Sequence, residues 1–201
     1  KHLYKKFLHK IYHIIDYDDV NPKSSFERVN IGKNNIYHKG LVNLSLNDDD
    51  IIIFSELDEI PDMIDIKNII PKLDTYFNIK PHWFNFNIDN YLGPWQMYSI
   101  LLAKYKSIKK HMSIKTNLME LNNHNYPRIS GWHFSYFLTP ENILKKLKSC
   151  AHYNDAKDRY VISKGLQYVK DKIKEGGELF GAASRKEFKG RMPKAQIPRL
   201  N

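Results

Sequence analysis

The 201-residue sequence contains a single cysteine, Cys150, so no disulfide can form within the chain. It has no apolar run long enough to span a bilayer and no signal-peptide pattern. We therefore expect a soluble chain without a membrane segment. Because the sequence does not begin with Met, we expect that a targeting segment can have preceded Lys1, which leaves a cytoplasmic or a lumenal location open.

The composition is that of an ordinary globular protein, with 42% hydrophobic and 13% aromatic residues and no repeat or low-complexity block. A chain of this length fits one domain. We predict a single domain over residues 1–190, followed by a basic tail over residues 191–201.

The formal net charge is +10, and basic residues are concentrated near both ends of the chain. Such a charge is compatible with an anionic partner, although runs of charge are more often solvated faces. The sequence has no zinc-finger spacing, basic zipper or RNA-recognition aromatic motif. We therefore predict that nucleic acid is not a partner.

The stretch DDDIIIFSELDEIP, residues 48–61, combines a strand with a cluster of acidic residues. Residues 51–54 form a continuous β-branched and aromatic run, which is typical of a strand buried on both faces. Glu56 and Asp58 follow it and alternate along an extended chain, so their carboxylates can share one hard divalent cation. The alternative is a solvated turn leading into a helix, a role that suits Asp62 and Asp65.

The remaining pattern alternates helices and strands, which predicts an α/β fold. A helix from Ser24 or Ser25 to Leu44 carries Arg28, Lys33 and Asn34, whose side chains either reach the strand ends or remain on the surface. The other predicted helices cover residues 1–10, 63–70 and 158–174, and the other predicted strands cover residues 11–15, 82–92 and 97–105, with a turn at Gly93-Pro94.

The stretch GWHFSYF, residues 131–137, is an aromatic strand with His133 in its middle and a serine nearby. A lone histidine in aromatic surroundings is more often a hydrogen-bonded core residue than a ligand, unless it faces Asp58. Thr139 and Pro140 then predict the start of a helix, as cap and first residue.

Three stretches together resemble glycosyltransferase family 17, the β-1,4-mannosyl-glycoprotein 4-β-N-acetylglucosaminyltransferases. They are IIIFSELDEIP, GWHFSYFLTPENILKKLKS and GLQYVKDKIKEGGELF, which occur in the family's order and at approximately its spacing. The resemblance implies a GT-A type fold, a nucleotide-sugar-binding mixed sheet flanked by helices. It also implies that this chain lacks the usual first strand-helix unit and is short at its N-terminus.

The resemblance further implies a metal site of the Asp-x-Asp type that binds Mn²⁺, or Mg²⁺, against the donor diphosphate. The motif here is Glu56-Leu57-Asp58, whose first acid is one methylene longer, and His133 is the candidate third ligand. The residues expected to contact the donor are Lys33, Asn34, Arg28, Glu59 and Trp132.

The function implied by the resemblance is metal-dependent, inverting transfer of a sugar, GlcNAc in the family, from a UDP-sugar to a hydroxyl of a glycan acceptor. Inversion requires one carboxylate base. Asp155 is the first candidate for this base, and Asp89 is the second. The alternative is a catalytically silent binding or scaffold domain, because Glu56 replaces the usual aspartate and the first unit is missing.

Overall fold

The computed structural model describes residues 5–13, 31, 35, 39–97, 99–113, 125–149, 155–190 and 192. These residues form a mixed α/β fold in which helices flank one six-stranded sheet, and this confirms the predicted class. The strands are β1 (Ile51–Phe54), β2 (Glu59–Ile60), β3 (Tyr76–Asn85), β4 (Tyr91–Pro94), β5 (Ile100–Lys104) and β6 (Asn125–Ser135). The α-helices are α1 (Met63–Ile69), α2 (Tyr105–Ser113), α3 (Pro140–Ser149) and α4 (Ala156–Glu175), and 3₁₀ helices cover Lys5–Lys10 and Ile70–Lys72.

The sheet has the strand order β1-β5-β3-β6-β2, with β4 paired to β3 beside this path. The β3–β6 pair is parallel, whereas the other strand pairs are antiparallel. The two-residue strand β2 is held against β6, where Glu59 pairs with His133 and Ile60 pairs with Trp132. This pairing brings the acidic loop after β1 to the aromatic strand.

A glycine permits the close approach of β2 to β6. Gly131 has φ +83°, and a Cβ atom there would lie 2.7 Å from the carbonyl oxygen of Ile60. A positive φ is costly for residues with a side chain, and the short distance leaves no room for one. Gly131 therefore fixes how near the acidic loop lies to His133.

Helices pack on the sheet through apolar side chains whose spacing follows the helical period. Ile66 and Ile69 of α1 pack with Ile79 and Leu102 of the sheet. Ile108 of α2 packs in a second cluster with strands β1 and β5. Helices α3 and α4 share a third cluster, whose fully buried members are Ile143, Leu147, Val161, Val169 and Leu179.

Local sequence signals explain several helix ends. The Asp62 carboxylate accepts a hydrogen bond of 3.0 Å from the Ile64 N–H at the start of α1. Thr139 accepts one of 3.3 Å from the Asn142 N–H, and Pro140 is the first residue of α3, as predicted. The last helix ends at Gly176, which has φ 78°.

Two of the predicted strands are wrong in their bounds. The segment predicted as one strand over residues 82–92 is divided between β3 and β4, because Asn87 and Asn90 close a turn inside the apolar pattern. Gly93 and Pro94 lie within β4 rather than in a turn. The strand predicted over residues 97–105 is limited to β5, and α2 follows it directly.

The structure describes only part of the N-terminal region, for which a helix, a strand and a second helix are predicted. Residues 5–10 form a 3₁₀ helix, and residues 11–13 are not a strand. Residues 31, 35 and 39–42 are helical, in agreement with the predicted helix, and the rest of it up to residue 38 lies outside the described residues. None of the helices within the described ranges has the length and apolar character needed to cross a membrane.

Candidate functional site

The acidic loop between β1 and β2 is tied by a buried carboxylate. The Glu59 N–H donates to the Glu56 carbonyl oxygen at 3.1 Å, and the Glu56 N–H donates to Glu59 Oε2 at 3.0 Å. Glu59 is only 4% exposed. These two reciprocal bonds fix the loop and leave Glu59 Oε1 directed towards β6.

His133 lies where this loop meets β6. Its Nδ1 atom is 3.6 Å from Glu59 Oε1 and 3.8 Å from Asp58 Oδ1. Both separations are longer than a hydrogen bond, and the buried Nδ1 atom has no hydrogen-bond partner among the described residues. The Phe134 N–H donates to the Asp58 carbonyl oxygen at 2.8 Å and so anchors Asp58 beside the imidazole.

The other side of the imidazole is held by a hydrogen-bonded chain. His133 Nε2 is 2.6 Å from Ser135 Oγ, and Trp83 Nε1 donates to the same oxygen at 3.1 Å. The Trp95 ring lies over the imidazole, with 4.3 Å between the ring centroids and 30° between their planes. Together these contacts fix the orientation of the ring.

Burial determines the charges at the site. Burial lowers the pKa of His133, and the nearby Lys146 cation lowers it further, against the opposing charge of Asp58. Burial raises the pKa of the Glu59 carboxyl, against the lowering effects of the Ser99 hydroxyl and of the hydrogen bond from the Glu56 N–H. The charges of Glu56 and Asp58 add to the rise. The His133 imidazole is therefore favoured in its neutral form, which is the form that can bind a metal.

An open cleft of about 380 Å³ lies beside this cluster. Its polar wall contains Glu56, Asp58 and Lys146, with Lys146 Nζ 4.0 Å from Asp58 Oδ2. The remaining wall is apolar and aromatic and consists of Leu57, Phe134, Tyr136, Phe137 and Leu138. The half-buried Asp58 carboxylate is thus accessible to a ligand that has both charged and apolar parts.

The structure brings some predicted site residues together. Asp58 and His133 are neighbours, and Glu59 is the second carboxylate at the imidazole, whereas the exposed Glu56 side chain lies at the cleft. The expected contact of Trp132 with the donor is not supported, because Trp132 is 4% exposed and packs with Phe84 and Tyr91 on the opposite face of β6 from His133.

Other predicted residues lie elsewhere. Asp89 lines a different cleft together with Arg185 and Lys186, and Asp155 occupies the position before α4. Neither of them lines the cleft beside Asp58. Arg28, Lys33 and Asn34 lie outside the described residues.

Sequence reasoning missed Ser135, Trp83 and Lys146 as parts of the site. A signal for Ser135 was present, since residues two apart on a strand share a face and Ser135 is two residues after His133. No comparable signal indicated Trp83 or Lys146, because strand pairing and the packing of α3 bring them to the site.

Protein side chains alone supply few possible metal ligands at this site. Within the described ranges, no group of three or more His, Cys, Asp or Glu side chains is arranged to hold a metal ion. Comparison of the sequence and structure with known protein families, curated proteins and solved structures finds no match.

Proposed function

We propose that this chain is a glycosyltransferase of the GT-A type, which moves a sugar, GlcNAc by its family resemblance, from a UDP-sugar to a hydroxyl of a glycan acceptor. The observation that carries the proposal is the position of Asp58. Its half-buried carboxylate lies between an open cleft and a buried imidazole nitrogen that lacks a hydrogen-bond partner among the described residues.

A divalent cation such as Mn²⁺ fits these residues, whereas Mg²⁺, the other candidate, prefers oxygen ligands alone. Asp58 would supply an oxygen ligand, and His133 Nδ1 would supply a nitrogen ligand from its neutral imidazole. Cations at nucleotide sites are commonly held by one or two carboxylates, water and the substrate's own phosphates, so three protein ligands are not required. The bound cation would stabilise the negative charge of the departing diphosphate.

The rest of the cleft suits a nucleotide-sugar and its acceptor. Lys146 provides a positive charge beside Asp58, where phosphate oxygens would bind. The side chains of Phe134 and Phe137 offer apolar surface for the carbon face of a sugar ring and limit access of water. The acceptor hydroxyl needs a carboxylate base, and the assignment of this base to Asp155 or Asp89 stays a prediction.

Titration calorimetry with UDP tests the metal-dependent site. We expect UDP to bind in the presence of Mn²⁺ and binding to weaken at least about 100-fold after Asp58→Asn, because the carboxylate ligand is lost. The matched control is Asp74→Asn, since Asp74 is exposed and does not line the cleft. Equal UDP binding with and without Mn²⁺ would contradict the metal assignment.

A turnover assay separates an enzyme from a silent binding domain. We expect the purified chain to release UDP slowly from UDP-GlcNAc in the presence of Mn²⁺, and this release to stop after Asp58→Asn. Tight Mn²⁺-dependent binding of UDP without any release from UDP-GlcNAc would instead support the binding or scaffold alternative.

A further inference from the structure

The hydrogen bonds around Ser135 constrain one another. Trp83 Nε1 can only donate, so Ser135 Oγ accepts the 3.1 Å bond from it. The hydroxyl then retains one proton to donate and one lone pair to accept with. Towards His133 Nε2, 2.6 Å away, Ser135 can therefore act either as donor or as acceptor.

The two neutral tautomers of His133 require opposite hydrogen-bonding roles of Ser135. With the proton on Nδ1, the N–H faces Glu59 Oε1 and Asp58 Oδ1 at 3.6 and 3.8 Å, and Nε2 must accept from Ser135. With a cation on Nδ1, that nitrogen carries no proton, and Nε2–H must donate to Ser135. The same hydroxyl can take either role towards His133, as donor in the first arrangement and as acceptor in the second.

We infer that Ser135 is a positioning residue whose hydroxyl reverses its hydrogen bond to His133 when a divalent cation binds between His133 and Asp58. This inference takes its cation from the proposed function. Without the cation, an unprotonated Nδ1 would place its lone pair beside two carboxylates, which is unfavourable. The tautomer with the proton on Nδ1 is therefore favoured. With the cation, Ser135 stabilises the tautomer that binds it.

Burial makes this role specific to the hydroxyl. Ser135 is 7% exposed and His133 is 8% exposed, so water has little access to replace the hydroxyl. The Trp95 ring covers one face of the imidazole, which opposes rotation of the ring towards another partner. The contact that Trp83 makes with Ser135 Oγ also opposes use of this hydroxyl as a nucleophile.

The test uses three variants. Ser135→Ala removes the hydroxyl, and Ser135→Thr retains it as the conservative rescue. Ser130→Ala is the matched control, because Ser130 also lies buried on β6 and its Oγ atom has no hydrogen-bond partner among the described residues. Thermal unfolding of each variant reports whether its fold is retained.

The first readout is ¹⁵N NMR of histidine-labelled protein, with His133 assigned by its loss in His133→Asn. We expect the Nδ1–H tautomer in the metal-free wild type and the Nε2–H tautomer after addition of Zn²⁺, a diamagnetic cation that imidazole binds. In metal-free Ser135→Ala we expect the Nδ1–H tautomer to persist, because the two carboxylates still face Nδ1, and we expect the change to the Nε2–H tautomer only at a higher Zn²⁺ concentration than in the wild type. Ser135→Thr and Ser130→Ala should give the wild-type spectra.

The second readout is the affinity for Mn²⁺, measured by titration calorimetry. We expect a loss of about 10- to 100-fold in Ser135→Ala, the range found when an outer-sphere partner of a ligand is removed. Ser135→Thr should recover the affinity to within about threefold, and Ser130→Ala should not lower it. A loss in Ser135→Thr as large as in Ser135→Ala would overturn the inference.

Two further results would overturn the inference. One is a Ser135→Ala variant that changes tautomer at the wild-type Zn²⁺ concentration and keeps the wild-type Mn²⁺ affinity, and the other is covalent labelling of Ser135 by a fluorophosphonate, which would make it a nucleophile. If the wild type binds neither Mn²⁺ nor UDP, the proposed function fails. A wild type that binds Mn²⁺ and Zn²⁺ but not UDP also refutes the proposed function, and the tautomer and affinity readouts then decide the inference about Ser135 by themselves.

Discussion

His133 and His82 lie on neighbouring strands and on opposite faces of one sheet. His133 pairs with Trp83, and adjacent residues of a strand point to opposite faces, so the His82 side chain points away from that of His133. Burial lowers the pKa of both histidines. Their neighbours differ: His82 Nδ1 is 3.1 Å from the Tyr91 hydroxyl and its ring packs on Phe188, whereas His133 Nδ1 faces two carboxylates. Burial thus favours the neutral imidazole in both cases, but of the two only His133 has carboxylates beside its Nδ1 atom.

The largest effect is expected from a substitution on the face of the sheet that contains His82. Phe84 is fully buried and contacts the rings of Tyr91, Phe134 and Phe188 at centroid distances of 5.0–5.7 Å. We expect Phe84→Ala to lower the free energy of unfolding by about 3–5 kcal/mol, because it leaves a cavity. Urea denaturation measures this loss.

The control for this variant is Phe7→Ala, because Phe7 is 45% exposed. Its effect on the free energy of unfolding should stay within about 0.5 kcal/mol. A similar loss in both variants would show that the aromatic face around His82 does not contribute more than the surface.

A smaller effect is expected from a substitution on the strand that contains His133. Gly131→Ala places a methyl group against the Ile60 carbonyl oxygen at a positive φ. We expect a loss of about 1–3 kcal/mol in the free energy of unfolding, and a lower affinity for Mn²⁺ because β2 and the preceding Asp58 move away from His133. Urea denaturation and calorimetry measure the two effects.

Gly181→Ala is the matched control, since Gly181 has φ +80° but no heavy atom within 4 Å of an added Cβ. It carries the same kind of backbone strain without the crowding, so it should lower stability by about 1 kcal/mol and leave Mn²⁺ binding unchanged. Equal effects of the two variants on Mn²⁺ affinity would contradict a role for the close approach at Gly131.

The smallest expected effect is the pH dependence of the contribution of Glu59 to stability. Because burial raises the pKa of Glu59, the folded state holds its proton more tightly than the unfolded state, whose ordinary value is about 4.5. Its contribution to stability is complete below that value and is lost as pH rises through the folded pKa. Glu59→Gln removes this component while its amide oxygen can still accept the Glu56 N–H.

The difference in unfolding free energy between Glu59→Gln and the wild type should therefore increase with pH above about 4.5, by at most about 1.4 kcal/mol per pH unit. Urea denaturation between pH 4 and pH 7 measures it. Parallel pH profiles of the two proteins would show that burial does not perturb this carboxyl.

The parts of the fold that depend on local sequence could be predicted. Residues 51–54 form a strand as predicted, although β1 lies at the edge of the sheet and only Ile52 and Phe54 are buried. Pro140 begins α3, and Gly176 ends the last helix. The boundary between β5 and α2 could not be predicted, because no glycine or proline marks it. There, the N–H groups of Tyr105 and Lys106 donate to backbone oxygens of Asp50 and Asp48 from a distant part of the chain.

The candidate site divides in the same way. The stretches over residues 48–61 and 131–137 pointed to Asp58 and His133, and the structure places the two side chains 3.8 Å apart. The exchange of Glu56 for Glu59 as the second carboxylate at the imidazole could not be predicted. It depends on the two-residue strand β2, which is too short to leave a periodic pattern, and on its pairing with β6.

The parallel pairing of β3 with β6 also has a consequence for biosynthesis. Trp83 and Ser135 are 52 residues apart in sequence, and the long connection between their strands must close before their hydrogen bond can form. On the ribosome, the acidic loop is made before His133 and Ser135, which emerge only after β6 has been translated. In a nascent chain, Asp58 and Glu59 therefore lack their imidazole neighbour until β6 has left the exit tunnel.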